Sequence, residues 1–260
     1  MNITPQLAYD RTPPTRGHGA RTVENTIFLA GAAGAIGKRL LPLLLDAGYQ
    51  VFATTRSQTR AADLSAAGAT PVVVDAYDAS ALTRAVVAAA PGVVINQLTD
   101  LPFGLDPLLM VEGRARNARI RQVGTRNLVC AALEARSRRF LSQSIAWSYA
   151  PGTMPHVESD PLDGVMPSVQ QLEQQTLGSP PLGGIVLRYG LFYGPGTGMD
   201  RPESNPTIVH IDAAAQATLL AMERGSDGVY NIVESEEQVS AEKARRQLGW
   251  DPGFRLARRH

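Results

Sequence analysis

The sequence predicts a doubly wound α/β fold, a parallel sheet with helices packed on both faces. Three observations carry this. Short apolar runs alternate with longer helical patterns from Asn25 onward, the runs "PVVVD" and "GVVIN" are continuously apolar, and a glycine-rich turn joins the first run to the first helix. Strands and helices in alternation imply parallel strands joined by crossover helices. Strands covered on both sides have no polar face to show. A chain of 260 residues can bury one large core with a small appended lobe. Residues 1–24 mix proline, threonine and arginine without an apolar centre and are expected to form a mobile leader. Residues 25–260 are expected to form a single domain, with its main core over about 25–150 and a smaller portion over about 151–260.

The elements follow in order. "TIFLAG" is the first strand and "AIGKRLLPLLLDAG" the first helix, with Ile36, Leu40, Leu43 and Leu44 on one face and Gly48 as its stop. Pro42 lies inside it and predicts a kink there or solvent satisfying the Lys38 carbonyl. "QVFATT", "TPVVVDA" and "GVVINQL" are strands separated by the helices "RAADLSAAG" and "ASALTRAVVAA". "RQVGTRNLVCAALEA" reads as one long helix, followed by the strands "RRFLSQSIA" and "GGIVLRYG". "HIDAAAQATLLAMERG" is a helix, "GVYNIV" a short strand and "AEKARRQLGW" a terminal helix. The stretches 150–168 and 193–207, dense in proline, glycine and acids, follow strands and so fall on the ligand side of an open α/β sheet.

Composition narrows the function. A formal charge of +1 gives no global attraction to nucleic acid or membrane. Uncharged apolar runs such as "AVVAAAPGVVINQLT" are too short to span a bilayer, and this one is broken by Pro91 and Gly92. Cys130 is the single cysteine, which excludes an intrachain disulfide and a cysteine-based metal cluster and suits the cytoplasm; no metal site is expected. Arginines crowd the stretch 114–139, from Arg114 and Arg121 to Arg138 and Arg139, without interleaved aromatics; this predicts a solvated helix face or a subunit contact in a homodimer, not a nucleic-acid surface.

Gly31, Gly34 and Gly37 form G-x-x-G-x-x-G after a strand and at the mouth of a helix. Such a turn lets backbone approach a pyrophosphate, packs helix tightly on strand and offers free helix N–H groups to phosphate. The expected cradle is Gly31, Ala33, Gly34, Ala35, Ile36 and Gly37, which makes the segment 25–150 a Rossmann-type nucleotide-binding core. An NAD site normally carries an acid at the end of the second strand. None stands between 47 and 62, whereas Thr55, Arg56, Ser57 and Arg60 do. Arginine there suits the extra 2′-phosphate of NADP, with NAD as the alternative cofactor.

With "GAAGAIG", "VVVDAYD", "RQVGTRNLV", "FLSQSIAWSY", "LRYGLFYGPG" and "VHIDAAAQA" in this order, the chain resembles the extended short-chain dehydrogenase/reductase superfamily, in its NAD-dependent epimerase/dehydratase branch. The resemblance implies that Asp75 and Ala76 stand at the adenine edge and that Gln97 and Leu98 line the ribose and nicotinamide path. It also implies a Tyr-x-x-x-Lys pair, which the sequence lacks: its lysines, Lys38 and Lys243, follow no tyrosine by four. Setting Glu173 on the family's glutamate puts Val165 and Val169 at the pair's positions. Ser144 and Tyr149 are then the candidate catalytic hydroxyls, and Arg188 is expected to brace backbone or a carboxylate. The spacer between Gly196 and His210 is short, which predicts a reduced substrate lobe and disfavours sugar nucleotides. The expected function is NADP-dependent reduction of a small molecule with a non-standard proton donor. The alternatives are a non-redox isomerase, cyclase or dehydratase using Glu158, Asp160 or Asp163, and a non-catalytic nucleotide-binding module.

Overall fold

The computed structural model describes residues 25–200 and 207–257; the leader predicted over 1–24 lies outside them. In chain order the elements are β1 (Thr26–Ala30), α1 (Ala35–Asp46), β2 (Gln50–Thr55), α2 (Gln58–Ala66), β3 (Thr70–Val73), α3 (Ala79–Ala89) and β4 (Val93–Asn96). Then come α4 (Met110–Arg119), a π-turn (Ile120–Gly124), α5 (Thr125–Glu134), β5 (Arg139–Ile145), α6 (Pro167–Leu177), β6 (Gly183–Tyr189) and β7 (Leu191–Tyr193). The chain continues with β8 (Ile208–His210), α7 (Ile211–Arg224), β9 (Gly228–Ile232) and α8 (Glu242–Leu248).

Seven strands form one parallel sheet in the order β3-β2-β1-β4-β5-β6-β9, and β7 with β8 forms a separate parallel pair. The order reverses between β1 and β4, so the loops at their C-terminal ends diverge and leave a crevice there. Successive residues of β1 feed opposite faces, as strand geometry requires. Ile27 and Leu29 join a core with Leu40 and Leu44 of α1 and Ala214 of α7, while Phe28 packs with Leu82 of α3, Leu128 of α5 and Phe140. Two covered faces are why β1 and β4 are apolar at nearly every position.

The structure corrects two expectations. Strand β3 is not buried on both faces: it lies at the sheet edge, with Val73 44% exposed, because only β2 pairs with it. The helix read over 121–135 begins earlier, at Met110, and residues 121–124 lie in the π-turn, which inserts extra backbone where the helix passes the sheet's ligand side. Helix α1, by contrast, continues through Pro42.

Candidate functional site

The crevice between β1 and β4 opens into a cleft. Of the residues predicted to hold the cofactor, Gly31, Ala33, Gly34, Thr55, Arg56, Asp75, Ala76, Gln97 and Leu98 line it. Ala35, Ile36 and Gly37 do not. Ala35 opens α1 at the surface, and Ile36 and Gly37 are buried where the helix meets β1, so their part is to fix the turn. Sequence reasoning missed Thr54, Thr99, Asp100, Ile120 and Leu128, which line the cleft as well.

The glycine turn is built by backbone crowding. Gly31 has φ +85°, and a Cβ there would stand 2.5 Å from the Gln97 carbonyl oxygen on the neighbouring strand's exit. A Cβ on Gly37 would overlap the Gly31 carbonyl and lie 2.6 Å from that of Ala32. Thr54 Oγ1 accepts the Gly31 N–H at 3.2 Å and ties the turn to β2. Gly34, which lines the cleft, is the N-cap of α1, and no side chain caps the helix, so its first N–H groups are left without a side-chain partner. A close backbone cradle at an uncapped helix start fits a diphosphate.

At the β2 end of the cleft Thr55 Oγ1 accepts the Ser57 N–H and Ser57 Oγ the Arg60 N–H, which orders the turn that carries Arg56 and Arg60. Both arginines line the cleft and are exposed. Asp75 bends the next loop by accepting the Tyr77 N–H at 3.0 Å, and Asn127 Nδ2 holds the Ala76 carbonyl at 2.9 Å. The Arg119 guanidinium lies 4.6 Å over the Tyr77 ring. Lys38 is exposed, and Arg39 is committed away from the turn, with its Nε 2.6 Å from Asp212 Oδ1.

Beyond the cleft, at the ends of β5 and β6, lies a buried polar network. Arg188 pairs with Glu173 of α6 in a two-point fork, Nε to Oε1 at 2.9 Å and Nη2 to Oε2 at 2.6 Å. Ser144 Oγ donates to Glu173 Oε1 at 2.7 Å. Tyr149 accepts from Arg188 Nη1 at 2.8 Å and donates to Asn231 Oδ1 at 2.6 Å. Burial works against the Arg188 charge, but the Glu173 carboxylate more than offsets it and holds the guanidinium above its ordinary pKa. Burial also pushes the Tyr149 phenol up, against the lowering effect of Arg188.

These contacts engage the candidate hydroxyls. Neither Ser144 nor Tyr149 lines the cleft, and each hydroxyl proton has a buried acceptor, Glu173 for Ser144 and Asn231 for Tyr149. The expectation that Arg188 braces a carboxylate matches its place in the fold, with Glu173 as that carboxylate. The candidate acids are similarly engaged. Glu158 Oε1 accepts the Asn231 N–H, Asp163 Oδ1 the Val165 N–H, and Asp160 Oδ2 the Val157 N–H. That backbone bond, with His156 beside it, holds Asp160 below the usual carboxylate range. His156 stacks on Tyr149 with ring centroids 4.9 Å apart, and His210 caps α7 by accepting the Asp212 N–H. Among the described residues no group of acids, histidines and cysteine is arranged to hold a metal, and no helix is long and apolar enough to cross a membrane.

Comparison with known proteins agrees with the cleft. Residues 31–180 match the family model described as NAD(P)H-binding. A 3-diazoavenalumate denitrifying reductase from a Streptomyces species is 36% identical over a 244-position alignment covering 83% of this chain and 78% of the relative. Among solved structures, UDP-glucose 4-epimerase from Thermotoga maritima, determined with UDP-glucose, superposes with a TM-score of 0.73 at 19% identity, covering 88% of this chain and 94% of the other. The Thermus thermophilus UDP-glucose 4-epimerase in complex with NAD gives 0.72 at 19% identity, with 89% and 95% covered. At these identities the epimerases speak to the fold alone.

Proposed function

Because this chain belongs to the family described as NAD(P)H-binding, we propose that it is an NADP-dependent reductase of a small substrate other than a sugar nucleotide. The family model and the reductase relative support an oxidoreductase that uses a nicotinamide dinucleotide. The observation that carries NADP over NAD is the pair Arg56 and Arg60 at the β2 end of the cleft, where the acid of an NAD site has no counterpart. Gly31 and Gly34 would admit the diphosphate, and Gln97 and Leu98 would border the nicotinamide. When bound, the dinucleotide supplies a hydride.

At the two positions where the resemblance puts the tyrosine and lysine, Val169 is buried in α6 and Val165 is exposed before it. That arrangement suits an acceptor that needs no proton from the protein. The Streptomyces relative is named for a diazo substrate and for denitrification. A diazonium carbon meets the requirement. As it takes hydride, one C–H bond forms, one C–N bond breaks and N₂ leaves with the positive charge cancelled. Other acceptors would draw their proton from water. Only residues 194–207 separate β7 from β8, which leaves little chain to enclose a sugar nucleotide.

Arg56→Ala is expected to weaken NADPH binding by about tenfold or more, the worth of a charge-assisted contact to phosphate, and to leave NADH within about twofold. Calorimetric titration of both nucleotides checks it. Equal losses would refute the 2′-phosphate assignment, and NADPH binding without oxidation across carbonyl, iminium and diazonium acceptors would remove the reductase reading.

A further inference from the structure

Arg121 is an arginine without a counterpart in this fold. It sits on the π-turn, half-buried, and among the described residues it forms no hydrogen bond or ion pair. The neighbouring arginines are accounted for otherwise: Arg116 pairs with Asp100 and Arg119 covers Tyr77, while Arg114 and Arg126 are exposed. A run of arginines that reads as one solvated face is therefore split, and one member turns inward.

Its neighbours on the same helix fix where it lies. Asn117, Arg121, Thr125 and Leu128 recur at spacings of about one turn, and the flanking three all serve the ligand side of the sheet. Asn117 Oδ1 accepts the Asp100 N–H at 3.0 Å, Thr125 Oγ1 accepts from Asn96 Nδ2 at 2.9 Å, and Leu128 lines the cleft. Ile120, next in chain, also lines the cleft, and a Cβ on Gly124 would stand 3.6 Å from Leu98 Cδ1. Arg121 does not itself line the cleft; on the π-turn between Ile120 and Gly124 it sits next to the cleft's β4 end, the opposite end from Arg56.

The charge balance there is uneven. Glu173 is the acid whose field reaches Arg121, but both its oxygens are taken by Arg188, and Ser144 adds a third bond. Arg188 and Glu173 cancel, which leaves Arg121 as one uncompensated positive charge in a partly desolvated place. Burial lowers its pKa, with Glu173 acting weakly the other way. Keeping a guanidinium there costs stability unless an anion completes it.

We propose that Arg121 binds a carboxylate carried by the substrate, at the β4 end of the cleft. A planar, five-donor guanidinium matches a carboxylate in two-point geometry. One free positive charge matches one negative charge, and a phosphate dianion would need a second cation. The proposal rests on reading the cleft as a nicotinamide dinucleotide site, and the test separates the two.

The full chain is titrated with benzoate and with the neutral isostere benzamide, both with and without NADPH. Benzoate is expected to bind at least about tenfold more tightly than benzamide, and Arg121→Met to abolish that preference while leaving NADPH binding within about twofold. Arg121→Lys should restore part of it. The Tm of Arg121→Met should be unchanged or raised, because an unpaired charge is removed. Equal binding of the two probes by the wild type, a preference that survives Arg121→Met, or a fall in Tm that marks Arg121 as a brace would each overturn the proposal. If NADPH does not bind the wild type, the cofactor reading fails, and the two probes on the free chain still decide the role of Arg121.

Discussion

Arg188→Met is expected to destabilise the protein by about 3–5 kcal/mol, the usual cost of removing one partner from a buried ion pair. Arg188 and Glu173 are 4% and 5% exposed, so the remaining carboxylate cannot recover its hydration in place. Four bonds go with the guanidinium: two to Glu173, one to the Tyr149 oxygen and one to the Glu158 carbonyl. For a chain of this size the loss corresponds to a fall in Tm of roughly 6–20 °C. The double variant Arg188→Met with Glu173→Leu removes both charges together and is expected to be more stable than Arg188→Met alone. A double variant no better than the single one would show that the pair holds α6 to the sheet by shape and not by charge. Thermal denaturation of the three variants decides it, and it does not depend on any assignment of substrate.

Local signals made the glycine turn legible. A strand, three glycines at fixed spacing and an amphipathic helix are adjacent in sequence, and the requirement they satisfy is itself local: a backbone that folds back within seven residues. The alternation of strands and helices was legible for the same reason. Sheet position was not. Nothing in "PVVVD" says that it lies at an edge with a single neighbour, because that depends on which strand pairs on its far side. Ser144 and Tyr149 stand at the end of β5 as the pattern requires, yet their hydroxyls are aimed by Glu173, Arg188 and Asn231, which are remote in sequence. Charge composition did not separate Arg121 from the exposed Arg114, Arg116, Arg119 and Arg126, since it averages over helix faces and the π-turn shifts the phase within them. The spacing of Asn117, Arg121, Thr125 and Leu128 is the signal that could have separated Arg121 from its neighbours.

Gly37→Ala should lower stability by about 1–3 kcal/mol or more and weaken NADPH binding by at least about tenfold, whereas Gly34→Ala should impair binding with the fold largely intact. The two glycines differ in what a methyl group would meet. At Gly37 it overlaps the Gly31 carbonyl oxygen and comes within 2.6 Å of that of Ala32, both rigid backbone at the end of β1. Relief requires α1 to lift from the sheet, which loosens Ile36, Leu40, Leu41 and Leu44 in the core and opens the turn at once. At Gly34 the methyl approaches the Gly31 oxygen at 3.2 Å, a contact that a few tenths of an ångström relieves, and φ is −77°, which any residue adopts. The added group would stand at the uncapped start of α1, where a diphosphate must come close to the backbone. Thermal denaturation and NADPH titration on both variants therefore separate packing from recognition. Unimpaired NADPH binding by Gly34→Ala would mean that the phosphates do not approach this turn, and the role assigned to the cradle would fall even if Gly37→Ala behaved as expected.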